Sequence, residues 1–350
     1  MALQDQEFEQ KVRKTYRTKL PVLDISDFLR GDEDAKKSCA NSLREICEDL
    51  GFISVVGHGI SQAEIDEIEN ETKRFHALAM EDKLKMKVNQ HQRGYIQPKA
   101  TLIKHSTYSE NKKFDLNATL VMATEYEDDD PGVVAGKQFY AKNQWPENLP
   151  GFKENVQKYM GRITDVGKSL LPLFALALEL EEDYFQPYFE NNYTYFRMAY
   201  YPPKPALEEN EYGLGAHADT GFMTWLPPAK EEGLQILDRD GNWFWPEVEE
   251  GAIIMNLGQF LERWSNEHFR ATPHRVIPPT QNDRYSVACF VNPNFEQVCE
   301  CLPTCHGPDN PPKYPTQTYH EFYSWYMHQT YPHYKEFAKD DDSGNQKIGD

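Results

Sequence analysis

The chain has 350 residues and a mass of 40.7 kDa, with 39% hydrophobic and 13% aromatic residues, enough to bury a sizeable core. Lys and Arg number 37 against 56 Asp and Glu, a net charge of −19, which excludes the basic footprint that phosphate neutralisation on a nucleic acid requires. No run approaches the roughly 18 apolar residues of a membrane span. Six cysteines are too few for a disulfide scaffold, and Met1 to Arg17 lacks the apolar stretch of a signal peptide. A cytoplasmic enzyme or binding protein with no membrane or nucleic-acid partner is expected.

Residues 1–19 read as a polar lead-in. Leu20 to Ile25 alternates like a short strand. Residues 33–50 carry an amphipathic helix, with Leu43, Ile46, Cys47 and Leu50 on one face and Gly51 as a stop. Phe52 to Val56 is a buried strand. Ser61 with Glu64 forms a capping box that opens a second helix, whose apolar face is Ile65, Ile68, Phe75 and Leu78. Residues 88–122 are less regular, and 125–132 form an acidic, turn-rich loop. A long helical pattern covers 153–182, and Pro172 inside it predicts a kink or a break.

After Tyr193 the texture changes. Short β-rich runs at 193–201, 212–217, 222–226, 234–237, 242–245, 252–256, 273–277 and 284–291 alternate with turn signals, the rhythm of a barrel or jelly roll. The expected class is mainly β with added helices (α+β). A helical region at 20–122 and connecting loops with a supporting helix at 123–192 precede a β core at 193–335, and 336–350 is a polar tail.

Phosphate loops, G-x-G-x-x-G, G-x-S-x-G and H-E-x-x-H are all absent, which removes the usual warrant for phosphoryl transfer, Rossmann dinucleotide binding, α/β-hydrolase chemistry and zincin proteolysis. The one H-x-D triplet is His217-Ala218-Asp219. On a strand, residues two apart share a face, so His217 and Asp219 can reach one ion. His274 follows after 54 residues. Two imidazoles and a carboxylate form a facial triad that leaves positions open on a non-haem Fe(II). Ten residues on, Arg284-Tyr285-Ser286 offers a guanidinium fork and a hydroxyl on one strand face, a clamp for a carboxylate.

His217-x-Asp219, His274 and Arg284-x-Ser286, in this order and spacing, resemble the Fe(II)/2-oxoglutarate dioxygenases of the isopenicillin-N-synthase-like superfamily. The flanks agree: Ala199-Tyr200-Tyr201-Pro202-Pro203, Gly233-Leu234-Gln235-Ile236, Met255-Asn256-Leu257-Gly258 and Arg263-Trp264-Ser265-Asn266, over roughly residues 20–335. The resemblance implies a distorted double-stranded β-helix, the jelly roll. It implies Fe(II) held by His217, Asp219 and His274, with O2 and 2-oxoglutarate as co-substrates. The far carboxylate of 2-oxoglutarate would lie on Arg284 and Ser286, with Tyr201 nearby. The reaction implied is oxidation of a substrate C–H by hydroxylation, desaturation or ring closure, coupled to release of succinate and CO2, on a small molecule of specialised metabolism. Two residues depart from the pattern: Ala199 replaces an Asn, and Gln259 replaces an acidic residue.

Candidate substrate residues are Arg93, Tyr95, Lys104 and Tyr108 from the irregular segment, and Phe222, Trp225, Phe290 and Phe295 from the β core. An anionic substrate follows if Arg93 and Lys104 face the iron; the alternative is a solvated basic face. Cys299, Cys301 and Cys305 with His306 are read as loop residues, because four ligands within eight residues rarely wrap one tetrahedral ion. Two rival functions keep the fold: an iron oxidase that binds a substrate carboxylate on Arg284 and Ser286 without 2-oxoglutarate, and an inactive jelly-roll binding module.

Overall fold

A computed structural model describes residues 3–103 and 111–331. Lys104, Tyr108 and the tail at 336–350 lie outside the described residues. Thirteen strands build two facing sheets: β1 (Arg17–Lys19), β2 (Val22–Asp24), β3 (Phe52–Val56), β4 (Gly94–Ile96), β5 (Ala118–Ala123), β6 (Tyr193–Tyr201), β7 (Leu214–His217), β8 (Met223–Leu226), β9 (Leu234–Leu237), β10 (Trp243–Glu247), β11 (Ile253–Leu257), β12 (His274–Val276) and β13 (Arg284–Asn292). The larger sheet runs β2-β3-β11-β8-β13-β6-β5-β4, and the smaller β1-β10-β9-β12-β7. From β6 to β9, and again from β10 to β13, successive strands alternate between the sheets, so the chain winds as a jelly roll.

Side-chain alternation decides what each face does. On β13, Val287, Cys289 and Val291 are buried under the helices Gln62–His76 and Phe152–Ser169, while Arg284, Ser286, Ala288 and Phe290 line the space between the sheets. The helix at 152–169 approaches closely through Gly167, where a Cβ would stand 3.0 Å from the Trp225 indole nitrogen and 3.1 Å from Val291. At one end of the sandwich Leu20, Phe52, Leu234, Ile236, Phe244 and Ile254 fill the inter-sheet space. Toward the other end that space is left open, and its walls mix polar and apolar side chains.

The local signals operate as expected. The first amphipathic helix is Glu33–Asp49, with Asp32 as its N-cap. The Ser61–Glu64 capping box is formed. Pro172 does break the long helical pattern: one helix ends at Ser169 and the next, Leu171–Ala177, has the proline in its first turn, where its missing N–H costs nothing. The polar stretch before Leu20 is folded rather than a simple lead-in. Helix Leu3–Arg13 buries Val12 against Leu207, Tyr212, Trp245 and Ile277, and β1 pairs in parallel with β10.

Candidate metal centre and flanking cavity

Strands β7 and β12 pair so that His217 stands opposite His274, with ring centroids 4.4 Å apart. Asp219 is not on a strand as its spacing suggested: β7 ends at His217, and Asp219 lies in the connection to β8. That connection has no strand partner, so its carbonyls are taken by the start of helix Gln259–Trp264 instead. The Gln259 backbone N–H donates to the Asp219 carbonyl (2.7 Å), and the Phe260 N–H is shared between the Thr220 and Gly221 carbonyls (3.2 Å each). The Gln259 side-chain amide also donates to the Ala218 carbonyl (2.9 Å). An acid at this position could not make that bond when ionised, so the departure at Gln259 adds a tie to the loop that carries Asp219.

The three side chains are oriented from behind. His217 Nδ1 meets the Gly215 carbonyl at 2.9 Å, and His274 Nδ1 meets the Thr272 carbonyl at 3.2 Å. A carbonyl only accepts, so each Nδ1 carries the proton and each Nε2 turns a lone pair inward. Asp219 Oδ2 accepts from the Thr224 hydroxyl and the Asn256 amide, both at 2.6 Å. Its Oδ1 is left facing His217 Nε2 at 3.7 Å and His274 Nε2 at 3.5 Å. Burial and the neighbouring His274 hold the His217 imidazole down at about 3. Burial opposes ionisation of Asp219, but the two histidines and the Thr224 hydrogen bond outweigh it and keep the carboxyl well below its usual range. Two neutral-competent imidazoles and a carboxylate, converging within 4.8 Å of one another, can hold a divalent ion; among the described residues they are the only such group. Cys299, Cys301 and Cys305 form no ligand cluster there and remain free thiols.

The cavity between the sheets, about 530 Å³, touches all three residues and runs to Arg284 and Ser286. Arg284 is 4% exposed. Its Nε donates to the Glu231 carbonyl at 3.1 Å, its guanidinium stacks 4.7 Å from the Tyr201 ring, and Nη1 is buried with no hydrogen-bond partner. Gly233 makes room for it, since a Cβ there would lie 2.6 Å from Nε. Burial pulls the guanidinium below its ordinary pKa, and an unmatched buried charge of this kind is costly without a ligand. Register places Arg284 beside Tyr201 and Ser286 beside Ala199. Ala199 therefore gives the wall a methyl group where the family pattern has an amide, and it packs with Ile103, Leu214 and Val276.

The substrate candidates separate. Phe290 lines the cavity. Arg93, by contrast, is fully buried as a structural strut. It donates to the His91, Thr124 and Phe139 carbonyls and the Tyr193 hydroxyl, because a guanidinium inside a fold must spend its donors on backbone acceptors. Tyr95 packs with Phe75 and His76 beneath the larger sheet. Trp225 points to the sheet's outer, helix-covered face, Phe222 sits among Phe174, Phe185, Phe189 and Trp264, and Phe295 stacks on Tyr193 and Tyr319. These five belong to the core, so Arg93 neither lines the cavity nor forms part of a solvated basic face.

Thr224, Asn256 and Arg197 were missed. Arg197 could have been found by counting in twos: it shares the inward face of β6 with Tyr201.

Residues 20–148 match the family described as non-haem dioxygenase in morphine synthesis N-terminal, and residues 190–293 match the 2OG-Fe(II) oxygenase superfamily. The chain is 32% identical over 328 residues to the 2-oxoglutarate-Fe(II) type oxidoreductase hxnY of Emericella nidulans, covering 91% of this chain and 93% of that protein. The chain belongs to the 2OG-Fe(II) oxygenase superfamily. It is also 35% identical over 310 residues to kihadalactone A synthase LFS of Citrus sinensis, covering 85% and 90% of the two chains. Among solved structures, a full-length Neurospora crassa protein in complex with alpha-KG and thymine superposes with a TM-score of 0.74 at 25% identity, over 85% of this chain and 93% of that one. JOX2 in complex with 2OG, Fe and JA gives 0.71 at 26%, over 88% and 85%. This oxygenase is an oxidoreductase that uses Fe(II), 2-oxoglutarate and O2 on small molecules, with a jelly-roll fold. The 2-oxoglutarate-independent oxidase and the inactive module are not favoured. Among the described residues no helix is long and apolar enough to cross a membrane.

Proposed function

We propose that His217, Asp219 and His274 hold the Fe(II), that Arg284 and Ser286 bind the far carboxylate of 2-oxoglutarate beside Tyr201, and that the enzyme oxidises a C–H bond of a small molecule of specialised metabolism. The observation that carries this reading is the pairing, across one cavity, of three converging donors with the unpartnered Nη1 of Arg284. Bound Fe(II) supplies the activation of O2 that drives the oxidation, with 2-oxoglutarate as reductant. The chain's own residues bind and orient. The Gly215 and Thr272 carbonyls fix the imidazole tautomers, Thr224 and Asn256 fix the carboxylate, and Arg284 neutralises the acid at the cavity's other end. Apolar walls at Leu214, Val276 and Phe290 exclude water from the reacting centre. The six free thiols support action in a reducing, cytoplasmic compartment.

The test is anaerobic. Metal-free protein is loaded with Fe(II) and titrated with 2-oxoglutarate while the visible charge-transfer absorption of a chelated keto acid is followed. A saturable band that Arg284→Ala weakens by at least about tenfold is expected, in line with loss of a charge-assisted hydrogen bond. Iron binding without a band would remove the co-substrate assignment, and no iron binding would remove the metal site.

A further inference from the structure

A second chamber, about 430 Å³, lies on the far side of His217 and Asp219 from Arg284. Its roof is the helix Tyr319–Thr330, which contributes Tyr319, Tyr323, Tyr326 and Met327, followed by Tyr331. Its floor is the inward face of β6 and β13, with Tyr195, Arg197 and Phe290. Arg197 and Phe290 line both chambers and so stand at the junction beside the metal ligands.

Among the described residues lining this second chamber, Arg197 is the one strong cation, and no carboxylate among them pairs with it directly. It makes no hydrogen bond or ion pair with any of them. This contrasts with two other enclosed arginines, Arg93 and Arg275. Arg93 spends its donors on carbonyls, and Arg275 lies 4.0 Å from the Trp243 ring with its Nε on Gln235. Asp115, whose charge reaches Arg197, is engaged elsewhere: it accepts from the Gly215 N–H at 2.8 Å and the Thr101 hydroxyl at 2.9 Å. A guanidinium facing a cavity without a partner has five donors free in a planar fork that matches a carboxylate.

We propose that Arg197 anchors a carboxylate of the small-molecule substrate in the tyrosine-lined chamber, so that this enzyme selects organic acids. The two carboxylate clamps then divide the labour across the iron site, with Arg284 taking the co-substrate and Arg197 the substrate. The phenol and apolar surfaces around Arg197 suit an unsaturated or ring-bearing acid body. The reacting C–H is placed toward the metal by the distance between the carboxylate and that body.

The inference rests on the functional reading above, and the experiment separates the two. Wild-type enzyme, anaerobic and saturated with Fe(II) and 2-oxoglutarate so that Arg284 is occupied, is titrated calorimetrically with benzoate, phenylacetate and hexanoate, each against its amide. At least one acid is expected to bind about tenfold or more tightly than its amide, the lower end of what a hydrogen bond to a charged group contributes. Arg197→Gln should erase that preference, Arg197→Lys should restore part of it, and both should keep the 2-oxoglutarate Kd within about twofold of wild type. The proposal is overturned if no acid is preferred over its amide, if the preference survives in Arg197→Gln, or if Arg197→Gln loses 2-oxoglutarate affinity by about tenfold, which would give the guanidinium to the co-substrate. Failure of the wild type to load Fe(II) and 2-oxoglutarate would instead overturn the functional reading itself.

Discussion

One oxygen of Asp219 faces the two imidazoles, and the other is steadied from behind. Thr224 and Asn256 both donate to Oδ2 at 2.6 Å, so removing either leaves a single donor to hold the carboxylate against rotating away from the two imidazoles. Thr224→Val and Asn256→Leu should each weaken Fe(II) affinity by roughly 10- to 100-fold while the far-ultraviolet dichroism is unchanged; a chelator-competition titration reads the effect, and unchanged affinity would show that the carboxylate is held by its backbone alone. Asp115 presents a different balance at the same scale. Burial lifts its pKa from 3.8 to about 6, against the pull of the Gly215 N–H and the Thr101 hydroxyl. The folded protein therefore keeps a proton that the unfolded chain releases, and stability falls as pH rises from about 4 to about 6. The ionised carboxylate costs up to about 3 kcal/mol at neutral pH. Asp115→Asn should gain stability relative to wild type between pH 4 and pH 7, measured by urea unfolding. Parallel pH curves for the two proteins would show that Asp115 is not the titrating group.

At the scale of elements, two tight contacts, one with backbone and one with the Asn292 side chain, set the loop that carries Asp219. A Cβ on Gly258 would stand 2.1 Å from the Gly221 carbonyl oxygen, and a Cβ on Gly221 would stand 1.9 Å from Asn292 Oδ1. Three segments, the loop after β7, the start of helix 259–264 and the end of β13, thus meet with no room for side chains. In Gly258→Ala the clash is with backbone and cannot be relieved by a rotamer change, so we expect a loss of about 1–3 kcal/mol in stability and a weaker metal site in the same variant. Wild-type metal affinity in a destabilised Gly258→Ala protein would separate the loop from the centre. A gentler case is Gly233, whose missing Cβ accommodates the Arg284 side chain; Gly233→Ala should raise the KM for 2-oxoglutarate with little change in the KM for the organic substrate.

For the whole molecule, the N-terminal segment is part of the barrel's outer wall. Helix Leu3–Arg13 lies on the outer side of the smaller sheet. Gln235 donates to the Val12 carbonyl, Arg13 donates to the Pro278 and Lys204 carbonyls at 3.1 Å each, and Val12 is 1% exposed. β1 also covers the free edge of β10, an edge that would otherwise offer unpaired N–H and C=O groups to another chain. Deleting residues 1–19 should lower the thermal midpoint by several degrees and promote aggregation, since losing one buried valine alone removes about 1.5–3 kcal/mol. An unchanged midpoint by calorimetry would show that the wall holds without this segment.

The centre was legible because its chemistry is written in short spacings: His217 and Asp219 two apart, Arg284 and Ser286 two apart, and strand runs whose period of two is local. Caps and breaks such as Ser61 with Glu64, and Pro172, are likewise local, so residues 33–49, 193–201 and 234–237 fold much as their own patterns dictate. What only the tertiary structure decided were the questions of facing. Arg93 and Arg197 look alike in the sequence. Strand pairing sends one into backbone carbonyls and leaves the other open to the chamber beside His217 and Asp219. Trp225 and Thr224 are neighbours, yet one packs under a helix and the other holds Asp219. The polar residues 3–19 have no strong apolar period, and their burial comes from Leu207, Tyr212 and Ile277, nearly two hundred residues or more away. Composition and spacing report which groups are present and which neighbours share a face; which faces meet is set by the packing of sheets across the core, and no local pattern records it.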